Sequence, residues 1–268
     1  MLLGAAVGVF GTLVGAGGGF ILVPVLLLFY PDRKPEEIAS IGLFVVFANS
    51  VSGSIAYGRQ GRIDYRSAAW FAVATFPGAL LGAVVVGYIP RRLFDGGFGV
   101  LLMSLGLFLA LRKMDQAIVP PVTGRGVVRR DIRDREGLRY IYSFHLWKGM
   151  AASAVIGFLS SLLGIGGGVI HVPVMATVLH FPIHIATATS QFVLAFMAGE
   201  GTAVHFATGT LTWDRSLFQA AMLAVGAVAG AQAGARLARR VRGSVILRAL
   251  ALALVVVGLR LLLKAFGI

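Results

Sequence analysis

Two stretches of the chain could do chemistry with their main chain. Gly15-Ala-Gly-Gly-Gly-Phe-Ile-Leu-Val-Pro-Val-Leu26 is matched by Gly164-Ile-Gly-Gly-Gly-Val-Ile-His-Val-Pro-Val-Met175, with eight of twelve positions identical at an offset of 149. A Gly triplet followed by Pro is poor helix sequence. Within apolar surroundings it predicts a helix that enters the membrane, breaks and turns back. The second half-helix then aims its N-terminus at the membrane interior. Its first N–H groups have no partner inside the helix, and the dipole puts about +0.5 charge there. Two such ends brought together suit a small anion. Gly17, Gly18, Gly19, Gly166, Gly167 and Gly168 are therefore candidate ligands through their N–H groups. Gly18 and Gly167 are expected to be equivalent places open to the substrate, and Pro24 and Pro173 to fall in the first turn of each second half-helix.

Side chains near these turns extend the candidate site. Asn49, Ser50 and Ser52 in one apolar stretch, and Ser190, Gln191 and Thr202 in another, offer neutral hydrogen-bond donors to the oxygens of an anion. The competing reading is hydrogen bonding between helices, worth about 0.6 kcal/mol each. Glu200 is the only acid expected deep inside a span, and ionisable residues there are functional suspects. A proton on Glu200 would remove its repulsion of an anion, which points to proton-linked transport. His171 and His205 are the other candidates for proton coupling. No Arg or Lys stands at mid-span, so an anion would rely on dipoles and neutral donors. Gly78, Gly82, Gly226, Gly230 and Gly234, spaced at four residues or multiples of four, read as helix contacts.

The composition says what positions these groups. Of 268 residues 57% are hydrophobic and 13% charged, against roughly 25% charged in soluble domains. A disordered chain and an ordinary soluble enzyme are excluded. The absence of Cys removes disulfides and thiolate chemistry. The net charge of +13 lies between long apolar runs, so no nucleic-acid partner is expected. Eight stretches meet the length of about 20 residues that a membrane helix needs: residues 2–29, 37–57, 67–89, 93–111, 144–181, 184–206, 217–237 and 245–263. The first lacks a basic start and reads as part of the fold rather than a signal peptide. The fold class expected is an all-α polytopic membrane protein in a lipid bilayer. Neither cofactor nor metal is expected, and the oligomeric state is open.

The repeat continues beyond the glycines. At an offset of 148, Phe44 pairs with Phe192, Gly53 with Gly201, Gly61 with Gly209, Gly78 with Gly226, Gly82 with Gly230, and Arg91-Arg92 with Arg239-Arg240. The chain thus reads as a first transmembrane repeat (1–113), a basic cytoplasmic linker (114–143) and a second transmembrane repeat (144–268). The linker holds Pro120, Pro121 and Gly124, then a charge-rich run from Arg129 to Glu136, and is expected to be a solvated connection. Positively charged loops favour the cytoplasm. The linker and the arginines around Arg240 both belong there only if residues 144–181 enter and turn back. That makes the two halves inverted, a pattern of secondary transporters. Arg91 and Arg92 then fall outside, against the rule.

These motifs resemble the sulfite exporter TauE/SafE family of membrane permeases. The likeness rests on G-x-G-G-G-x-[IL]-x-V-P in both halves, the Ala39-Ser40 and Ala186-Thr-Ala-Thr-Ser190 helix starts, and the Gly61-Arg-Ile-Asp64 loop. The second-half loop, Gly209-Thr-Leu-Thr212, keeps the Gly without the Asp. The resemblance implies transport of sulfite, or of a related sulfur-containing or small organic anion, across the bacterial inner membrane. An anion channel is the first alternative. An intramembrane Ser–His hydrolase built on Ser160, Ser161 and His171 is disfavoured, because no nucleophile elbow is present. A cation transporter would carry more mid-span acids than Glu200 alone.

Overall fold

A computed structural model describes residues 1–111, 126–211 and 215–265. Its elements run in order α1 (Leu2–Leu13), α2 (Gly19–Phe29), α3 (Pro35–Gln60), α4 (Tyr65–Val85) and α5 (Arg91–Leu111), then a hairpin of β1 (Val127–Arg133) and β2 (Arg139–His145). There follow α6 (Leu146–Leu163), α7 (Gly168–Thr177), α8 (Ile183–Ala207), α9 (Arg215–Ala238) and α10 (Gly243–Ala265). Six helices, α3, α4, α5, α6, α9 and α10, are long and apolar enough to cross a membrane. The 25-residue α8 is as long but carries Thr187, Thr189, Ser190, Gln191, Glu200 and Thr202. The chain is a multi-pass membrane protein. The linker residues Pro120, Pro121 and Gly124, and Thr212 of the second short loop, lie outside the described residues.

The first and fifth apolar stretches are each broken at their glycines, into α1 with α2 and α6 with α7. Pro24 and Pro173 lie one turn deeper than expected, as the sixth residue of α2 and α7. Each therefore removes a hydrogen bond from inside the half-helix, to the carbonyls of Phe20 and Val169.

Helix packing follows the small residues. α4 packs on α6, α9 on α1, and α5 on α10. At Gly78 an added Cβ would run into the Ala154 carbonyl, and at Gly230 into the Ala5 carbonyl. Gly106 faces Ala251 O and Val255 N, while Gly258 faces Gly99 O and Met103 N. These mirrored contacts revise the pairing expected in the last two helices of each half. Gly78 answers to Gly230, Gly82 to Gly234 and Gly106 to Gly258, at an offset of 152 rather than 148. The chain has four more residues between Gly209 and Gly230 than between Gly61 and Gly78, about the period of one helical turn, and that hides the shift. Arg91 consequently answers to Gly243 at a helix start, not to Arg239.

The linker is not merely solvated. Strands β1 and β2 pair antiparallel with Val127 opposite His145 and Arg133 opposite Arg139. Alternation turns Val128, Ile132, Tyr140, Tyr142 and Phe144 inward against Phe71 and Phe181. Phe144, the expected start of the second repeat, therefore belongs to β2 and is buried. Beneath the hairpin Asp64 caps α4 through Ser67 N (3.1 Å) and accepts from Ser67 Oγ (2.5 Å), Arg130 Nε (3.1 Å) and Tyr142 OH (2.9 Å). Burial and the Asp64 carboxylate push the Tyr142 phenol above its ordinary range, so it stays a donor. Arg62 is buried against Asp134 (3.1 Å) and also reaches Glu136 (3.3 Å), which in turn pairs with Arg239 (3.2 Å). Arg135 N donates to Gln60 O at 3.0 Å. The α3–α4 loop, the hairpin and the end of α9 therefore meet on one face.

Two outcomes are expected. Gly78→Ala forces α4 from α6 and should lower unfolding stability by about 1–3 kcal/mol. Gly97→Ala, with nothing within 4 Å of the new methyl, should not. Arg62→Ala strands a buried Asp134 carboxylate and should cost about 3–5 kcal/mol. Arg139→Ala, whose Asp131 partner is exposed, should leave the melting temperature of the purified protein unchanged.

Candidate anion site at the glycine turns

Each break is built by glycine in the left-handed region. Gly15, Gly17 and Gly18 have φ of 74°, 71° and 85°, and Gly164 and Gly166 have 70° and 62°. A side chain there costs roughly 1–2 kcal/mol. The two turns also press on each other. An added Cβ at Gly19 would lie 2.5 Å from Ile165 O, and one at Gly168 2.5 Å from Gly15 O. Gly17 and Gly166 both face Val46 and Leu194. Those residues stand near the midpoints of α3 and α8, so the turns sit about halfway along both helices. The 11 residues of α2 and 10 of α7 span about 15–17 Å, half of a hydrocarbon core of about 30 Å.

The two N-termini differ. Gly167 N donates to Ser160 Oγ (2.6 Å) and Gly168 N to Gly166 O. The N–H groups of Gly18, Gly19 and Phe20 find no acceptor among the described residues. The expectation that Gly167 offers its N–H to a substrate is thus corrected: Ser160 holds it. Gly18 and Gly167 are packing positions as well. A Cβ at Gly18 would lie 2.7 Å from Val7 O, and one at Gly167 2.8 Å from Met197 Cε.

A polar cluster lies beside the first turn. Ser50 Oγ, 3.3 Å from where a Gly17 Cβ would stand, donates to Gln191 Oε1 at 3.1 Å. Thr12 Oγ1 donates to Asn49 Oδ1 at 3.2 Å, and Tyr57 OH to Thr12 O at 2.8 Å. All five side chains are buried. The hydroxyls fix both amide groups with their oxygens occupied. Asn49 Nδ2 and Gln191 Nε2 are left buried with no partner. Buried polar groups are nearly always bonded, so these two free donors call for an acceptor. The Gln191 amide packs directly on Gly53: a Cβ there would lie 2.9 Å from Gln191 Nε2.

The remaining candidates divide. Ser190 Oγ donates to Gly15 O (3.0 Å) and braces the turn. Ser52 Oγ donates to Val228 O (2.9 Å) and accepts from Gln232, which locks α3 to α9. Thr202 and His205 are buried without partners near the far end of α8, about 16 Å along the helix from Gln191 for Thr202. His171 Nε2 meets Ser153 Oγ at 3.0 Å beside Phe71. Glu200 turns away from the cluster, into an apolar groove of Ala69, Ala72, Val73, Phe76, Phe192 and Phe196. One of its oxygens is buried without a partner. Thr12 and Tyr57 were not singled out by sequence, although Thr12 and Ser161 are hydroxyls at matching places before the two turns.

Comparison with known proteins agrees with the sequence likeness. Residues 1–261 match the family model described as Sulfite exporter TauE/SafE. A probable membrane transporter protein of Bacillus subtilis, YunE, is 30% identical over 98% of this chain and 96% of its own length. One from Xylella fastidiosa is 26% identical over 91% of this chain and 84% of its own. The Sulfite exporter TauE/SafE family protein 1 of Arabidopsis thaliana is 32% identical over 39% of this chain and 22% of its own. No solved structure matches. The chain is a membrane transporter, not an enzyme, and it belongs to the sulfite exporter TauE/SafE family.

Proposed function

We propose that the protein exports a small sulfur-containing oxyanion, sulfite or a related sulfonate or organic anion, across the bacterial inner membrane. The anion binds beside the first glycine turn, to Asn49 Nδ2, Gln191 Nε2 and the free N–H groups that begin α2. The observation that carries this reading is the pair of buried amide NH₂ groups without acceptors, each aimed by a hydroxyl bonded to its oxygen. Neutral donors and a helix dipole suit a solute that must also leave.

Inverted repeats support alternating access. The helices α5 and α10 hold equivalent places in the two halves, yet they run antiparallel, with Gly106 facing Ala251 and Val255 and Gly99 facing Gly258 and Leu262. A two-fold axis that relates antiparallel partners lies across the helices, hence in the membrane plane. The second half is then the first turned over. The basic face shared by the α3–α4 loop, hairpin and α9 end is cytoplasmic by its charge.

Proton linkage rests on Glu200. One carboxyl oxygen of Glu200 is buried without a donor in an apolar groove, where a proton would remove its charge. The groove lies between α4 and α8, one from each half, where movement between the halves would expose it.

The anion site is tested by sulfite binding to purified protein. Asn49→Asp replaces a donor with a negative acceptor and should weaken binding by at least about tenfold, the equivalent of 1.4 kcal/mol. Ser52→Ala, which touches only α9, should bind as wild type; equal binding by both variants contradicts the site. Glu200→Gln in liposomes should transport with no response to a pH gradient, and an unchanged response would make Glu200 structural.

A further inference from the structure

We propose that Ser161, Thr202 and His205 form a second station for the transported anion, on the far side of the glycine turns from the hairpin. This rests on the transport reading above and adds to it a site of different chemistry.

Four buried polar atoms in this region have no partners: Ser161 Oγ, Thr202 Oγ1 and both ring nitrogens of His205. The three residues are 0%, 5% and 1% exposed. Ser161 lies in the last turn of α6, and a methyl added at Gly201 would lie 3.0 Å from its Oγ. His205 is four residues from Gly201 and three from Thr202, so it neighbours both on the surface of α8. Leu43 of α3 closes the other side of Gly201.

The cluster answers to one already described. Ser161 holds the place of Thr12, Gly201 that of Gly53, and His205 that of Tyr57, at the offsets of the repeat. In the first half three of these places satisfy one another, because Tyr57 OH bonds Thr12 O and Thr12 Oγ1 bonds Asn49, while Ser54, at the place of Thr202, keeps an unpartnered hydroxyl. In the second half the tyrosine is a histidine, the asparagine is Met197, and nothing is satisfied. Tyr57 lies one turn from Gln60, whose carbonyl the hairpin binds. Because α3 and α8 run antiparallel, with Ser50 near Gln191 and Leu43 near Gly201, His205 faces the opposite side of the membrane.

The donor set defines the ligand. The first station presents two amide NH₂ groups and accepts no proton, so it takes bare oxyanion oxygens. The second offers two hydroxyls and an imidazole with both ring nitrogens free, which presents one N–H donor and one accepting nitrogen when it carries a single proton. That arrangement complements a small oxyanion bearing one O–H: its oxygens accept from Ser161, Thr202 and the imidazole N–H, and its hydroxyl donates to the other nitrogen. Methanesulfonate, an oxyanion without an O–H, lacks that last bond.

Calorimetric titration of the purified wild-type chain tests this, with sulfite at neutral pH and methanesulfonate as probes. Two sulfites and one methanesulfonate should bind per chain. His205→Phe should lose one sulfite and keep the Asn49-dependent one; Gly201→Ala, which crowds Ser161 with one methyl, should weaken the same event at least tenfold. Asn49→Asp should lose the other. A single sulfite per wild-type chain, abolished by Asn49→Asp and indifferent to His205→Phe and Gly201→Ala, overturns the second station and leaves the first. No binding of either probe to monodisperse wild type overturns both.

Discussion

Backbone that leaves its helix inside hydrocarbon must be covered by protein or meet water, because no lipid group will bond its N–H and C=O. At residues 14–18 and 164–167 the chain leaves its helices in the middle of the fold, and protein covers it there. The turns press against each other, Ser190 and Ser160 bond their main chain, and Val46 and Leu194 close over both. Glycine is required three times over in each turn: for positive φ, for backbone contact between turns, and for clearance from Val46. The long helices α3 and α8 are unbroken because they are the wall that covers the breaks.

The halves share this scaffold and differ in how completely it is satisfied. At the second turn the Gly167 and Gly168 N–H groups are bonded, to Ser160 and Gly166, and only that of Val169 finds no acceptor among the described residues. At the first, three N–H groups and two amide donors remain open. Likewise Ser52 interlocks with Gln232 and Val228 across α3 and α9, while Glu200 at the matching place on α8 faces only apolar groups of α4.

Much of this was legible in the sequence because the physics is local. A Gly triplet before Pro cannot continue a helix, and its duplication announced both breaks. Asn49, Ser50 and Gln191 stood out as polar residues in apolar runs. What escaped depended on distance or on a masked period. The four extra residues between Gly209 and Gly230 match the period of one helical turn, so Gly226 and Gly230 mimicked partners that packing gives to Gly230 and Gly234. The linker's charges concealed the alternation Tyr140-x-Tyr142-x-Phe144 and the Asp134–Gly137 turn, which together spell a hairpin. The inward Arg62 and Arg130 looked solvated because their carboxylate partners lie 72 and 66 residues away. Glu200 points away from the glycines because Phe192, Phe196 and Glu200 share a face opposite Gln191 and Leu194, which helical phase could have revealed.

The central claim is that an anion is held where the first glycine turn meets Asn49 and Gln191. Selenite has the shape and charge of sulfite and scatters anomalously. An anomalous difference map of crystals grown with it locates the anion without reference to activity. The account predicts a selenium peak within hydrogen-bond reach of Asn49 Nδ2 and Gln191 Nε2, beside Gly17. Selenium ordered elsewhere in the protein, with that place empty, would contradict it.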